Sequence, residues 1–144
     1  MTHEHRGHYA KKHPPGRKVN PLISDAVKQK AVNGRITCAA AFKIVHELDV
    51  SPAEVGFTID SLELTITKCS LGLFGYGSSG KAIQEVNSVS TDIQSAITNS
   101  LVNGRLPCKA AWNIAEELGV SKREISSTCE ALNIKISACQ LGAF

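Results

Sequence analysis

Shifted along itself by 70 residues, the chain overlays its own sequence without a gap. "NGRITCAAAFKIVHELDVSPAEVGFTIDSLELTITKCSLGLF" falls on "NGRLPCKAAWNIAEELGVSKREISSTCEALNIKISACQLGAF", with 19 identities over the 42 positions that pair 33–74 with 103–144. Exchanges such as Phe42/Trp112 and Val55/Ile125 keep apolar character. A duplication of this kind allows one small fold used twice and argues against a single undivided core. Two copies are too few for a solenoid. Each copy, at about 55 residues, is marginal alone, so mutual support is expected. The chain is thus divided into an arm over 1–20, a first repeat over 21–74, a linker over 75–90 and a second repeat over 91–144.

Hydrophobic spacing predicts three short helices and a strand in each copy. The first helix is expected over 21–32 and 91–102, with Ile23, Val27 and Ala31, or Ile93, Ile97 and Leu101, forming an i, i+4, i+8 stripe. Asn33-Gly34 and Asn103-Gly104 are expected to stop it, because glycine tolerates the left-handed conformation of a helix end. The second helix opens at Thr37 or Pro107. Its core face is Ala40, Ala41, Ile44, Val45 and Leu48, or Ala110, Ala111, Ile114, Ala115 and Leu118. The third opens at Ser51 or Ser121, each followed three positions later by Glu54 or Glu124, the spacing of a capping box. "LTITKC" and "IKISAC" then alternate as short strands do.

Between helices two and three of the second copy, Ala115, Gly119 and Ile125 supply what a helix-turn-helix needs: a small residue, a turn glycine and an apolar seat. This stretch resembles bacterial helix-turn-helix regulators, and the following strand makes each copy similar to a winged-helix variant. The resemblance implies a mostly α fold of two tandem three-helix repeats, each with a short C-terminal strand. It also implies a DNA-binding transcriptional regulator with double-stranded DNA as partner, and places the helix from Ser121 in a major groove.

Removing Ile125, Cys129 and Leu132 as core leaves Lys122, Arg123, Ser126, Ser127 and Glu130 facing outward. Such cations and hydroxyls suit phosphates and base edges. In the first copy Val45 and Asp49 replace the alanine and glycine, and the outward set becomes Pro52, Ala53, Gly56, Phe57 and Asp60. Asp60 repels phosphate, and an outward Phe57 suits an apolar contact. The competing expectation is therefore a protein-interaction or adaptor module on the same fold, with Phe57 at the contact and a homodimer or another protein as partner.

Charge is uneven. Arg6, Lys11, Lys12, Arg17 and Lys18 against Glu4 give the first 20 residues +4, while the other 124 carry 11 basic and 12 acidic side chains, a net −1. A flexible basic arm that adds nonspecific DNA affinity is expected, carrying His3, His5, His8 and His13. The five cysteines include no CxxC pair, and the first residues lack a hydrophobic signal region, so reduced thiols in a cytoplasm are expected. No apolar run approaches the roughly 20 residues that span a bilayer. Cys38/Cys108 and Cys69/Cys139 recur between copies, yet two thiols per copy fall short of a four-ligand metal set, so no metal is assigned. In the adaptor reading they could sense metal or redox state.

"GYGSSGKA", 75–82, imitates a phosphate-binding loop through Gly75, Gly80 and Lys81. It begins where the first repeat stops, and Ala82 stands where the Mg²⁺-binding hydroxyl would be. It reads as a joint. No paired carboxylates, H-E-x-x-H or G-x-S-x-G occur, so neither an enzyme nor a cofactor is expected.

Overall fold

The computed structural model describes residues 9–77 and 80–144. Among them the chain is mostly α-helical, with six α-helices and two small parallel two-stranded sheets. Among the described residues no helix is long and apolar enough to cross a membrane. The residues form two compact units. The first runs to Cys69 and also includes Gln140–Phe144, and the second is the continuous stretch Ser70–Cys139.

In the first unit, α1 (Pro21–Lys30) starts on Asn20, whose side chain accepts the Leu22 amide at 2.9 Å, and Pro21 adds a fixed φ where no donor is needed. Ile23 and Val27 bury its inner stripe. The helix ends two residues earlier than its spacing predicts. Asn33 and Gly34 both take positive φ, 52° and 75°, and Val32 and Arg35 exchange backbone hydrogen bonds of 2.8 and 3.0 Å. Asn-Gly therefore builds a two-residue hairpin tip, for which paired positive φ values are the requirement, rather than a helix cap. Val102–Arg105 repeats the tip in the second unit.

That tip feeds β1 (Arg35–Thr37), then α2 (Cys38–Leu48), which is capped by Thr37 Oγ1 accepting the Ala40 amide. Asp49 takes the left-handed conformation at the turn. α3 (Pro52–Ser61) opens on Ser51, whose hydroxyl accepts the Glu54 amide at 3.1 Å. β2 (Thr65–Thr67) returns to pair parallel with β1, Ile36 opposite Ile66. The second unit repeats the order: α4 (Thr91–Asn99), β3 (Leu106–Pro107), α5 (Cys108–Leu118), α6 (Lys122–Ala131) and β4 (Ile136–Ser137). Gly119 makes its left-handed turn, and Ser121 caps α6 through the Glu124 amide.

The parallel pairing corrects the winged-helix expectation. A wing is an antiparallel hairpin after the third helix. Here the last strand crosses back over two helices to the strand ahead of the second, and such a long crossover permits parallel pairing.

Ile23, Val27, Ile36, Ala41, Ile44, Val55, Ile59 and Ile66 form the first core, and Leu141 belongs to the same unit. Its backbone crosses α3 at Gly56, where an added Cβ would fall on the Leu141 carbonyl oxygen. The absence of a side chain at Gly56 is what admits that segment. Gly56→Ala is therefore expected to cost about 1–3 kcal/mol, the usual range for overpacking. Ser126→Ala, at the matching position of α6, should cost about 1 kcal/mol or less, since it deletes one hydroxyl bond. Urea unfolding of both variants checks this, and a neutral Gly56→Ala would contradict the crossing.

Candidate functional site: the covered third helices

A helix that packs against a core along one stripe buries about every third or fourth residue. α3 instead buries Val55–Asp60 in succession, and α6 buries Ile125–Cys129. Six and five residues exceed the 3.6 of a full turn, so each helix is covered on all sides there. Their hydroxyls bond back to the preceding turn: Thr58 to the Glu54 carbonyl, Ser126 to that of Lys122 and Thr128 to that of Glu124.

The outward set expected on α6 divides accordingly. Ser126 and Ser127 are only 1% and 5% exposed, correcting the expectation that they face outward. Lys122 holds its ammonium 4.2 Å from the centre of the Trp112 ring. Arg123 donates to the Tyr76 hydroxyl at 2.8 Å and lies 4.9 Å from the centre of that ring. Glu130 is exposed.

On α3, Phe57 is 3% exposed, again correcting an outward placement. The arm covers it. His13 meets the ring edge-on at 4.9 Å between centroids, and the Arg17 guanidinium lies 3.8 Å above it. Asp60, 4% exposed, accepts Lys12 Nζ at 3.1 Å and meets His13 Nε2 at 2.8 Å. Glu63 receives the Tyr9 and Ala10 amides at 2.7 and 2.9 Å, fixing the start of a 3-10 turn over Tyr9–Lys12. Arg17 bonds Glu54 at 3.1 Å, and Lys12 also donates to the Gly142 carbonyl at 3.0 Å.

From Tyr9 onward the arm is thus held on α3, where a flexible segment was expected. Its cations face Glu54, Asp60 and Glu63, and that acidic set was the sequence signal for this contact. Lys11 and Lys18 are exposed, and Arg6, like His3, His5 and His8, lies outside the described residues. The 75–82 segment forms a small antiparallel bridge between Tyr76 and Gly80.

The second unit has a counterpart to the arm. Shifting Lys12 and Gly142 by 70 positions gives Ala82 and Gly72, and the Ala82 amide donates to the Gly72 carbonyl at 2.8 Å. The linker therefore runs along α6 much as the arm runs along α3. Between them lies an open groove of about 440 Å³, walled by Lys81, Ile83, Glu85 and Val86 on one side and by Ser127, Glu130 and Ala131 on the other. Ser127 matches Phe57, so the groove opens where the first unit places a ring.

All five cysteines are thiols. Burial pushes the Cys129 thiol up to about 11, in keeping with a core filler. Among the described residues no three metal-ligating side chains converge. No family model, curated protein or solved structure matches the chain.

Hydrogen bonds to a buried charge contribute about 1.5–3 kcal/mol, so Asp60→Asn should raise the open population of the arm by about tenfold or more. Tryptic cleavage after Lys12 and Arg17 would accelerate by the same factor. An unchanged rate would mean that Asp60 does not hold the arm.

Proposed function

We propose that this chain is a protein-interaction module on a tandem, helix-turn-helix-like scaffold, its third helices serving as faces on which a polypeptide segment docks. The observation that carries this reading is the burial of each third helix over more than a turn, with the arm lying on α3 and the linker beside α6. Two segments outside the α-helices already meet such a helix within this chain, the arm through charge pairs and ring contacts and Leu141 through its carbonyl over Gly56.

A DNA-binding reading asks for different surfaces. Lys122 and Arg123 are engaged by Trp112 and Tyr76, and Lys12 and Arg17 by carboxylates. Residues 21–144 carry 11 basic and 12 acidic side chains, too balanced to steer a polyanion.

Fluorescence anisotropy with mixed-sequence duplex DNA, run over a salt series, tests the choice. Lys122→Ala/Arg123→Ala should leave the affinity of the full chain within about twofold, any residual binding being nonspecific and salt-sensitive. Random peptides displayed on phage and panned on the immobilised full chain should yield an enriched sequence. Tenfold weaker DNA binding in the double variant, or no enriched peptide, would overturn the proposal.

A further inference from the structure

The two third helices have diverged at one spot, and the divergence leaves a defined deficit. In the first unit α3 supplies the ring, Phe57, and the acids, Glu54 and Asp60. The arm supplies the cations, Lys12, His13 and Arg17. Shifted by 70 positions, the acids persist as Glu124 and Glu130, but the ring becomes Ser127 and the three cations become Ala82, Ile83 and Asn87. Among the described residues neither Glu124 nor Glu130 forms an ion pair, and Glu85 is, with Glu130, a second exposed carboxylate lining the groove. At these matched positions the second unit thus carries neither the ring nor the arm's three cations, and among the described residues the one basic side chain lining the groove is Lys81. The groove stands open at the position of the missing ring, and its volume of about 440 Å³ lies within the range of sites that bury small ligands or side chains.

We infer that this groove binds an aromatic side chain of a partner polypeptide, with a neighbouring lysine or arginine of the same segment meeting Glu130. The inference rests on the interaction reading above and names the chemistry of the partner. The ring enters between Ile83 and Val86 on the linker side and Ser127 and Ala131 on α6, replacing the contact that Phe57 makes internally. The cation takes the role of Lys12 and His13. Two carboxylates, Glu85 and Glu130, against one lysine lining the groove, Lys81, disfavour an anionic aromatic group, and a bare cation leaves the apolar slot unfilled.

Three small probes separate these elements: phenethylamine has ring and cation, phenylacetate ring and anion, and butylamine cation alone. In amide-detected NMR titrations of the full chain, phenethylamine should shift Ile83, Val86, Ser127 and Glu130. Its affinity should exceed that of the other two by about tenfold, as expected for a ring and a charge pair acting together. Ser127→Phe, which restores the internal ring, should abolish the shifts. Glu130→Gln should weaken phenethylamine several-fold while phenylacetate binds no more weakly than before, a charge-specific readout that stands even if Ser127→Phe fails to fold.

Equal binding of the three probes, shifts confined to residues away from the groove, or a Glu130→Gln variant that binds phenethylamine undiminished would overturn the inference. Peptides enriched by panning that lack an aromatic–basic pair, or that bind a folded Ser127→Phe variant equally well, would overturn it too while the interaction reading stood. Absence of any enriched peptide would count against the interaction reading itself.

Discussion

Burial of a short helix around its whole circumference is the constraint from which most of this structure follows. Such a helix needs a covering on the side away from the core, and three helices of about ten residues cannot provide one. The covering comes from chain outside the α-helices: Tyr9–Arg17 and Leu141 on α3, the linker after Gly80 beside α6. This demand accounts for the missing side chain at Gly56, the buried carboxylate of Asp60 and the back-bonded hydroxyls on both helices. It also turns a helix face that could meet a ligand directly into one that meets polypeptide first.

The two units solve the covering problem with different chemistry. In the first, charge does much of the holding: a lysine and a histidine converge on one carboxylate, and an arginine stacks on Phe57 while reaching Glu54. Because Asp60 and its partners are largely removed from water, these contacts are screened less than surface pairs. In the second, backbone hydrogen bonds at Gly72 and Gly80 and the Arg123–Tyr76 contact hold the segment, and among the described residues Glu124 and Glu130 of α6 form no ion pair. Duplication thus preserved the scaffold and let the lining change.

The scaffold was legible from the residues where a local rule applies. The repeat register, the helix centres and the capping serines at 51 and 121 follow from spacing and hydrogen-bond chemistry that act within a few residues. The site was much less so. Subtracting one apolar stripe from α6 leaves Ser126 and Ser127 apparently outward, because periodicity records the core side and carries no sign of a second layer. Phe57 was the one hint, an apolar side chain on a face that should have been polar, and its cover lay in the arm some forty positions earlier. Strands of two or three residues have no period to detect, so their parallel pairing could not be anticipated. Asn33-Gly34 was ambiguous, since positive φ serves a helix end and a hairpin equally well.

The membership of Leu141 in the first unit also sets an order of events. The second unit is continuous from Ser70 to Cys139, whereas the first contains a segment lying 85 positions beyond Gly56 in the chain. During synthesis the helices around Gly56 emerge early but remain uncovered at that point until Leu141 has left the ribosome. By then the residues of the second unit have been made. The earlier unit is therefore the last to close, the reverse of the usual N-terminal-first sequence of domain folding. Its closing step carries the entropy of a long loop, a term that grows only slowly with length but falls on the rate before the contact can repay it.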